Sequence, residues 1–277
     1  MEGIIIKNIS NDYVVLCKNG RYTCKPRGKF RNDKIIPLVG DKVVIDPDNK
    51  YILEIKERSN MLIRPSVANI DIAIIVTSAK EPDFSTNLLD KLLVIISYNN
   101  IEPVICLTKL DLLNDSELEE INKYIEYYKS IGYTVITNDD KKALKEILQN
   151  KLTVITGQSG AGKSTLLNRL DKNLELKTNE ISKALGRGKH TTRHVELYNI
   201  YDGFVVDTPG FSAIDLSDIP KVGIRDNMVE MFNNLDECKY RDCMHIKEDG
   251  CAVKKRIENK EILQSRYENY KSFIESK

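Results

Sequence analysis

The chain has 277 residues, of which 41% are hydrophobic and 30% charged. That length and apolar content suit two or three folded domains and exclude a disordered chain. A net charge of +1 carries no argument about partners. No stretch approaches the ~18 to 20 consecutive apolar residues of a membrane span, and the start MEGIIIKNIS lacks the apolar region and cleavage site of a signal peptide. A cytoplasmic protein without a membrane partner is expected.

Residues 1–66 carry 13 Lys+Arg against 8 Asp+Glu, so this end is electropositive. Short β-prone runs at Gly3–Ile6, Tyr13–Cys17, Tyr22–Lys25, Lys42–Ile45 and Tyr51–Ile55 alternate with Asn, Gly, Asp and Pro turns. Five strands in a segment of this size suit an OB-type β-barrel. The basic run Lys25, Arg27, Lys29, Arg31, with Phe30 beside it, lies on or next to a strand or loop of that barrel, where OB-folds often meet nucleic acid. An ordinary charged hairpin is the alternative.

From Ile70 strands alternate with helices. Ile70–Thr77 is a near-continuous apolar run, Leu88–Tyr98 has helical spacing, Pro103–Leu107 is strand-like and Glu117–Tyr128 helical. Tyr133–Ile136, Lys141–Leu148 and Leu152–Ile155 repeat the alternation, and the strands His194–Ile200 and Gly203–Val206 follow. Buried strands with helices between them predict a parallel α/β sheet over 67–215. Beyond Phe211 the pattern turns helical, and Val253, Ile257, Leu263, Tyr267, Tyr270 and Ile274 mark one face of a long helix. The expected fold is therefore multidomain α/β: an OB-type barrel at 1–66, an α/β domain at 67–215 and a helical domain at 216–277.

The strand Leu152–Ile155 runs into GQSGAGKST. Its glycines let consecutive backbone N–H groups turn inward around a β-phosphate, and the lysine and hydroxyl that follow reach the β/γ oxygens and Mg²⁺. Gly157, Gln158, Ser159, Gly160, Ala161 and Gly162 are the candidate loop, and Lys163, Ser164 and Thr165 open the helix behind it. TKLD, after the strand Pro103–Leu107, is the candidate base reader. The Asp111 carboxylate can accept hydrogen bonds from the N1–H and 2-amino group of guanine, a pair adenine does not offer. Lys109 would pack along the base, and Thr108 and Leu110 complete the motif. Thr108 stands where Asn is usual, keeping a hydroxyl but losing an amide. Ser78-Ala79-Lys80 imitates a guanine-bracing SAK loop but precedes TKLD, so Ser78 reads as a strand-end turn and the true brace falls near Thr137-Asn138.

Asp207-Thr-Pro-Gly210, 44 residues after Lys163 at a strand end, fits a phosphate sensor: Asp207 holds Mg²⁺ through water and Gly210 offers an N–H to the γ-phosphate. Between loop and sensor lies GRGKHTTRH. Thr192, or alternatively Thr191, is the switch threonine that closes over Mg²⁺. Phe211 occupies the place where Ras-like enzymes carry a water-orienting glutamine, so another group must place the water. His190 is the candidate, as positioner or base; a surface histidine on a basic loop is the alternative. The motifs thus run base reader, phosphate loop, switch, sensor, a circularly permuted order that places the sensor directly before the C-terminal domain.

Cys238, Cys243, His245 and Cys251 supply three thiolates and an imidazole within fourteen residues, a complete tetrahedral shell for one structural zinc with no open position for chemistry. Lys239, Arg241, Lys247, Lys254, Lys255 and Arg256 surround it and can touch RNA phosphates or simply face solvent. Cys17, Cys24 and Cys106 sit among apolar neighbours.

Taken together, GQSGAGKST, GRGKHTT, DTPGF and CKYRDCMH, in this order, resemble the ribosome small-subunit-dependent GTPase family (RsgA, also called YjeQ or YloQ) over the whole chain. The resemblance implies Mg²⁺-dependent GTP hydrolysis stimulated by the 30S subunit in its late maturation. It also implies 16S rRNA contacts through the OB and zinc domains, GTP and GDP as ligands, a monomer, and a catalytic histidine in GRGKHTT, which is His190. An RNA-binding scaffold that uses nucleotide only structurally, and an ATP-dependent kinase, are the competing classes.

Overall fold

The computed structural model describes residues 1–32, 35–63, 66–170, 195–207 and 216–277. In chain order the strands and helices begin with β1 (Glu2–Ile9), β2 (Asp12–Cys17), β3 (Gly20–Pro26), α1 (Gly28–Asn32), β4 (Lys42–Asp46) and β5 (Tyr51–Ile55). They continue with β6 (Met61–Ile63), β7 (Ser66–Ala68), β8 (Ile72–Ser78), α2 (Thr86–Tyr98), β9 (Glu102–Thr108), α3 (Asp115–Ser130) and β10 (Thr134–Thr137). The remainder is α4 (Lys141–Leu148), β11 (Leu152–Gly157), α5 (Lys163–Leu170), β12 (Leu197–Ile200), β13 (Gly203–Asp207), α6 (Lys221–Asp226), α7 (Val229–Asn233), α8 (Ala252–Glu258) and α9 (Gln264–Glu275). The chain forms two compact units, one of Met1–Ala73, Asp140–Thr156 and Lys163–Phe211, the other of Ile74–Asp139, Gly157–Gly162 and Ser212–Lys277.

The first unit contains a closed five-stranded barrel in the order β1-β2-β3-β5-β4. Alternation sends Ile5, Val15, Val43, Ile45 and Ile52 inward, each at most 1% exposed. β4 closes the barrel against β1 with Gly3 opposite Val43, and β3 meets β5 in parallel. The short helix α1 between β3 and β4 is a difference from expectation, since five residues are too few to display a helical period. Lys25, Arg27 and Lys29 are exposed there, whereas Phe30 turns into the core and is unavailable for stacking on a base. The fully buried Asp41 receives both arms of the Arg58 guanidinium at 2.7 and 2.8 Å and the Leu38 amide at 2.7 Å. In the same unit β13 runs parallel to β11 and antiparallel to β12. Lys7 of β1 pairs with Glu196, just before β12, at 2.8 Å.

The second unit holds β10, β9 and β8 side by side, with β10 parallel to β9. Its C-terminal helices share a core with α2, where Val94 and Ile95 pack with Ile224, Met231, Tyr270 and Phe273. The single long helix expected near the C-terminus is two helices. The step of six residues between Ile257 and Leu263 falls out of helical period, and Lys260 adopts a left-handed φ of 62° between α8 and α9. Among the described residues no helix is long and apolar enough to cross a membrane.

Beside that core lies a buried ionic cluster. Arg266 of α9 donates to Glu230 of α7 through Nε at 2.8 Å and Nη2 at 2.6 Å, and to Asp90 of α2 through Nη1 at 2.6 Å. Tyr128 and Tyr127 of α3 donate to Asp90 and Glu230 at 2.5 and 2.7 Å, and Asn269 donates to Asp90 at 2.7 Å. Burial alone would disfavour the Arg266 charge, but the two carboxylates outweigh it and hold the guanidinium well above its usual range. Glu230 is likewise buried, yet Arg266 keeps it below the usual carboxylate value. Arg266→Ala leaves two buried carboxylates without their cation and is expected to destabilise this unit by about 3–5 kcal/mol in denaturant titration. Arg266→Lys, which keeps the charge but not the fork, should recover only part of that loss.

Candidate nucleotide and metal sites

β11 is buried along its length and delivers Gly157 to the start of the candidate phosphate loop. Gly157 has φ 133°, and a Cβ there would fall 2.0 Å from the Val76 carbonyl oxygen, so only glycine lets the loop leave the strand beside β8. Gly160 and Gly162 also have positive φ, at 80° and 95°. The Ala161 amide closes the turn onto the Gln158 carbonyl at 3.2 Å. Ser159 and Gly160 are exposed at its tip, Lys163 opens α5, and Ser164 and Thr165 are exposed on its first turn.

Thr108 ends β9 and is 2% exposed. Its hydroxyl donates to the Ala161 carbonyl at 2.7 Å, with the Thr77 carbonyl as a second acceptor at 3.3 Å. The hydroxyl that Thr108 keeps thus ties the end of β9 to the glycine-rich loop. Lys109 turns the chain with φ 58° into the 3₁₀ turn Leu110–Leu112, which leaves Asp111 exposed to a ligand. The Lys109 ammonium donates to the Glu81 carbonyl. α3 follows at once, fixed by a capping box between Asn114 and Glu117. Ser78 ends β8 and its hydroxyl donates to the Lys80 carbonyl at 2.6 Å, a strand-end turn as expected. Thr137 ends β10 opposite Leu107, and the Asn138 amide donates to the Leu107 carbonyl at 3.0 Å, so this segment lies at the same strand edge as Thr108.

Asp207 is the last residue of β13 and is in register with Ile155, two residues before Gly157. Its side chain, and the residues Gly210, His190, Thr191 and Thr192, lie outside what the structure describes.

Cys238, Cys243, His245 and Cys251 come together with their donor atoms within 4.8 Å of one another. His245 directs Nδ1 to the Cys251 and Cys238 sulfurs, at 3.3 and 3.6 Å, while Nε2 faces the Met231 carbonyl at 3.0 Å. That carbonyl requires Nε2 to carry the proton, which leaves the Nδ1 lone pair aimed at the thiols. A metal-binding histidine is held in this way. The S₃N set, buried except for the half-buried Cys238, and the oriented imidazole fit a four-coordinate soft cation such as zinc. Tyr267 and Tyr270 of α9 donate to the carbonyls of His245 and Met244 at 2.8 and 2.7 Å, and Glu248 accepts from the amides of Met244, Ile246 and Lys247. Of the basic residues nearby, Lys254 donates to the Glu248 carbonyl and Arg256 pairs with Glu237 and Glu261. Lys239, Arg241, Lys247 and Lys255 are exposed.

Neither the buried cluster around Arg266 nor the Met231 carbonyl behind His245 was anticipated from sequence. Asp90 within the apolar run of α2, and Arg266 and Asn269 beside the apolar face of α9, were the available signal.

The RsgA GTPase family profile matches residues 55–217, and that of the RsgA N-terminal domain matches residues 2–52. The small ribosomal subunit biogenesis GTPase RsgA 1 of Listeria monocytogenes serotype 4b is 53% identical over 276 residues, covering 98% of this chain and 95% of that protein. The RsgA of Enterococcus faecalis is 49% identical over 280 residues, covering 99% and 94%. Among solved structures, YloQ, described as a circularly permuted GTPase, matches with a TM-score of 0.85 and 41% identity over 99% of this chain and 94% of that one. YjeQ from Thermotoga maritima matches with a TM-score of 0.86 and 34% identity over 99% and 97%. The chain belongs to the RsgA GTPase family.

Proposed function

We propose that this chain hydrolyses GTP as a checkpoint in late maturation of the small ribosomal subunit, with turnover stimulated by the 30S particle. The observation that best supports the nucleotide reading is the bond from the Thr108 hydroxyl to the Ala161 carbonyl. One side chain ties the base-reading turn to the phosphate loop, so a nucleotide can meet Asp111 at one end and the loop amides at the other. In this reading Asp111 selects guanine, Lys109 and Leu110 flank the base, and residues 157–162 cradle the phosphates. Lys163 neutralises the β/γ oxygens, with Thr165 beside it. Ser164, Thr192 and Asp207 would hold Mg²⁺, which supplies charge neutralisation at the leaving phosphate. Gly210 senses the γ-phosphate and His190 places the attacking water.

The domain reading is an OB-type RNA-binding barrel at 1–66, a permuted GTPase domain at 67–215 and a zinc-binding helical domain at 216–277. The exposed Lys25, Arg27 and Lys29 of the barrel and Lys239, Arg241, Lys247 and Lys255 of the C-terminal domain are its candidate contacts to 16S rRNA. The protein is read as a cytoplasmic monomer in its free form.

Purified protein should hydrolyse GTP in preference to ATP, and 30S subunits should accelerate it at least tenfold; turnover unchanged by 30S would remove the ribosome-coupled reading. His190→Ala should abolish most of the stimulated rate, about 10²-fold or more, with GTP affinity unchanged. Asp111→Asn should shift preference from GTP toward xanthosine triphosphate. One zinc per chain should be measured in the purified protein, and Cys251→Ser should lose it together with the helical signal of the C-terminal segment.

A further inference from the structure

The turn that leaves β8, Ala79 to Pro82, meets both the segment that begins at Thr108 and the glycine-rich loop of the candidate nucleotide site. The Ala79 amide donates to the Thr108 carbonyl at 3.0 Å. The Lys80 ammonium reaches both carboxylate oxygens of Glu117 at 2.8 and 2.9 Å, and the Glu117 carboxylate also accepts from the Asn114 amide at 2.9 Å. Lys80 first, and then that amide, hold the Glu117 carboxyl below its usual range. The Glu81 carbonyl accepts from the Lys109 ammonium. Pro82 lies against the phosphate loop, its Cδ 3.5 Å from where a Cβ of Gly160 would stand.

Glu81 reaches this position with a left-handed φ of 55°, which side chains other than Gly and Asn seldom adopt. Such a conformation persists where surrounding contacts fix it, and the contacts on either side of Glu81 do so here. The Ser78 hydroxyl bonded to the Lys80 carbonyl closes the turn on one side, and Pro82 fixes the chain on the other. The result aims a carbonyl at Lys109. In the proposed function the stem of Lys109 lies along the base, and a stem fixed only at its backbone would sweep several rotamers. Tethered at its ammonium, it presents one apolar edge, so less side-chain freedom is lost when the base arrives. The Lys80–Glu117 pair acts on the same turn from behind, because Glu117 caps the helix that begins four residues after Asp111.

We propose that Lys80, Glu81 and Pro82 form a positioning turn for the guanine site, which tethers Lys109 and the Asp111 turn and thereby sets nucleotide affinity. The inference rests on the assignment of Asp111 and Lys109 to the base. None of the three residues touches a reacting atom, so the effect belongs in binding and not in the chemical step.

The test is the full chain titrated with fluorescent GDP and a non-hydrolysable GTP analogue, with steady-state GTP hydrolysis measured alongside. Lys80→Ala removes one half-buried ion pair and should weaken both nucleotides about threefold to fivefold. Lys80→Arg, which keeps the pair, should restore affinity to within twofold. The double variant Glu81→Gly with Pro82→Gly frees the turn and should raise KM and both dissociation constants roughly tenfold, with kcat within twofold of the parent. Affinities within twofold of the parent in both Lys80→Ala and the double variant overturn the proposal, as does a fall in kcat at unchanged KM. Thermal melting of each variant shows whether it is folded; if the double variant melts early, Lys80→Ala against Lys80→Arg decides. Asp111→Asn runs in parallel. If it switches preference to xanthosine nucleotides while the turn variants stay at parental affinity, the turn proposal falls and the guanine reading stands; if it changes nothing, the guanine reading itself falls.

Discussion

The Arg266 guanidinium, enclosed between the carboxylates of Asp90 and Glu230, is the constraint around which the second unit is arranged. Side-chain exposure of 1%, 0% and 4% means that none of the three charges is hydrated. Their desolvation is offset only while the fork geometry, the two tyrosine hydroxyls and Asn269 all stay in place. A hydrophobic contact tolerates sliding, whereas this cluster specifies the register of α2, α3, α7 and α9 against one another. Its influence reaches the Cys/His cluster by short covalent steps. Met231, next to Glu230, orients His245, and Tyr267, next to Arg266, holds the His245 carbonyl. α9 therefore presents one face to the ionic cluster and the adjoining face to the Cys/His loop.

The same cluster joins the helix behind the candidate nucleotide site to the C-terminal helices of the second unit. Within the described residues a connection exists, because α3 starts just after the Asp111 turn and carries Tyr127 and Tyr128 into the cluster. The 3₁₀ turn Leu110–Leu112 is thus joined to α7 and α9 through one helix. The permuted connectivity makes this possible, since it leaves the C-terminal helices free to pack on α2 and α3.

Much of this was legible in the sequence. The five barrel strands followed from alternation bounded by turn residues, and the β/α alternation after Ile70 followed from the switch between periods of 2 and 3.6. The glycine-rich loop and the Cys/His cluster could be picked out because the chemistry they suit demands fixed residue types at short spacing. What escaped has one common cause: it depends on residues distant in sequence. Arg266 meets Asp90 across 176 positions, and no local pattern distinguishes that pair from two solvent-facing charges. The role of Thr108 was half legible, since its hydroxyl was visible as a substitute but its acceptor, Ala161, lies 53 residues away. Phe30 looked like a partner of the basic run and proved to be a core anchor, because a five-residue helix carries too few positions to reveal its buried face.

The central claim is that α2 and α3 form one cooperative body with the C-terminal helices, closed by Arg266. Native-state hydrogen exchange resolved to peptides of α2, α3, α7 and α9 tests it most directly. The account predicts that amides in all four helices share one opening free energy and that Arg266→Ala lowers it for all of them together. Opening of α7 and α9 at a free energy several kcal/mol below that of α2 and α3 in the parent protein would contradict it.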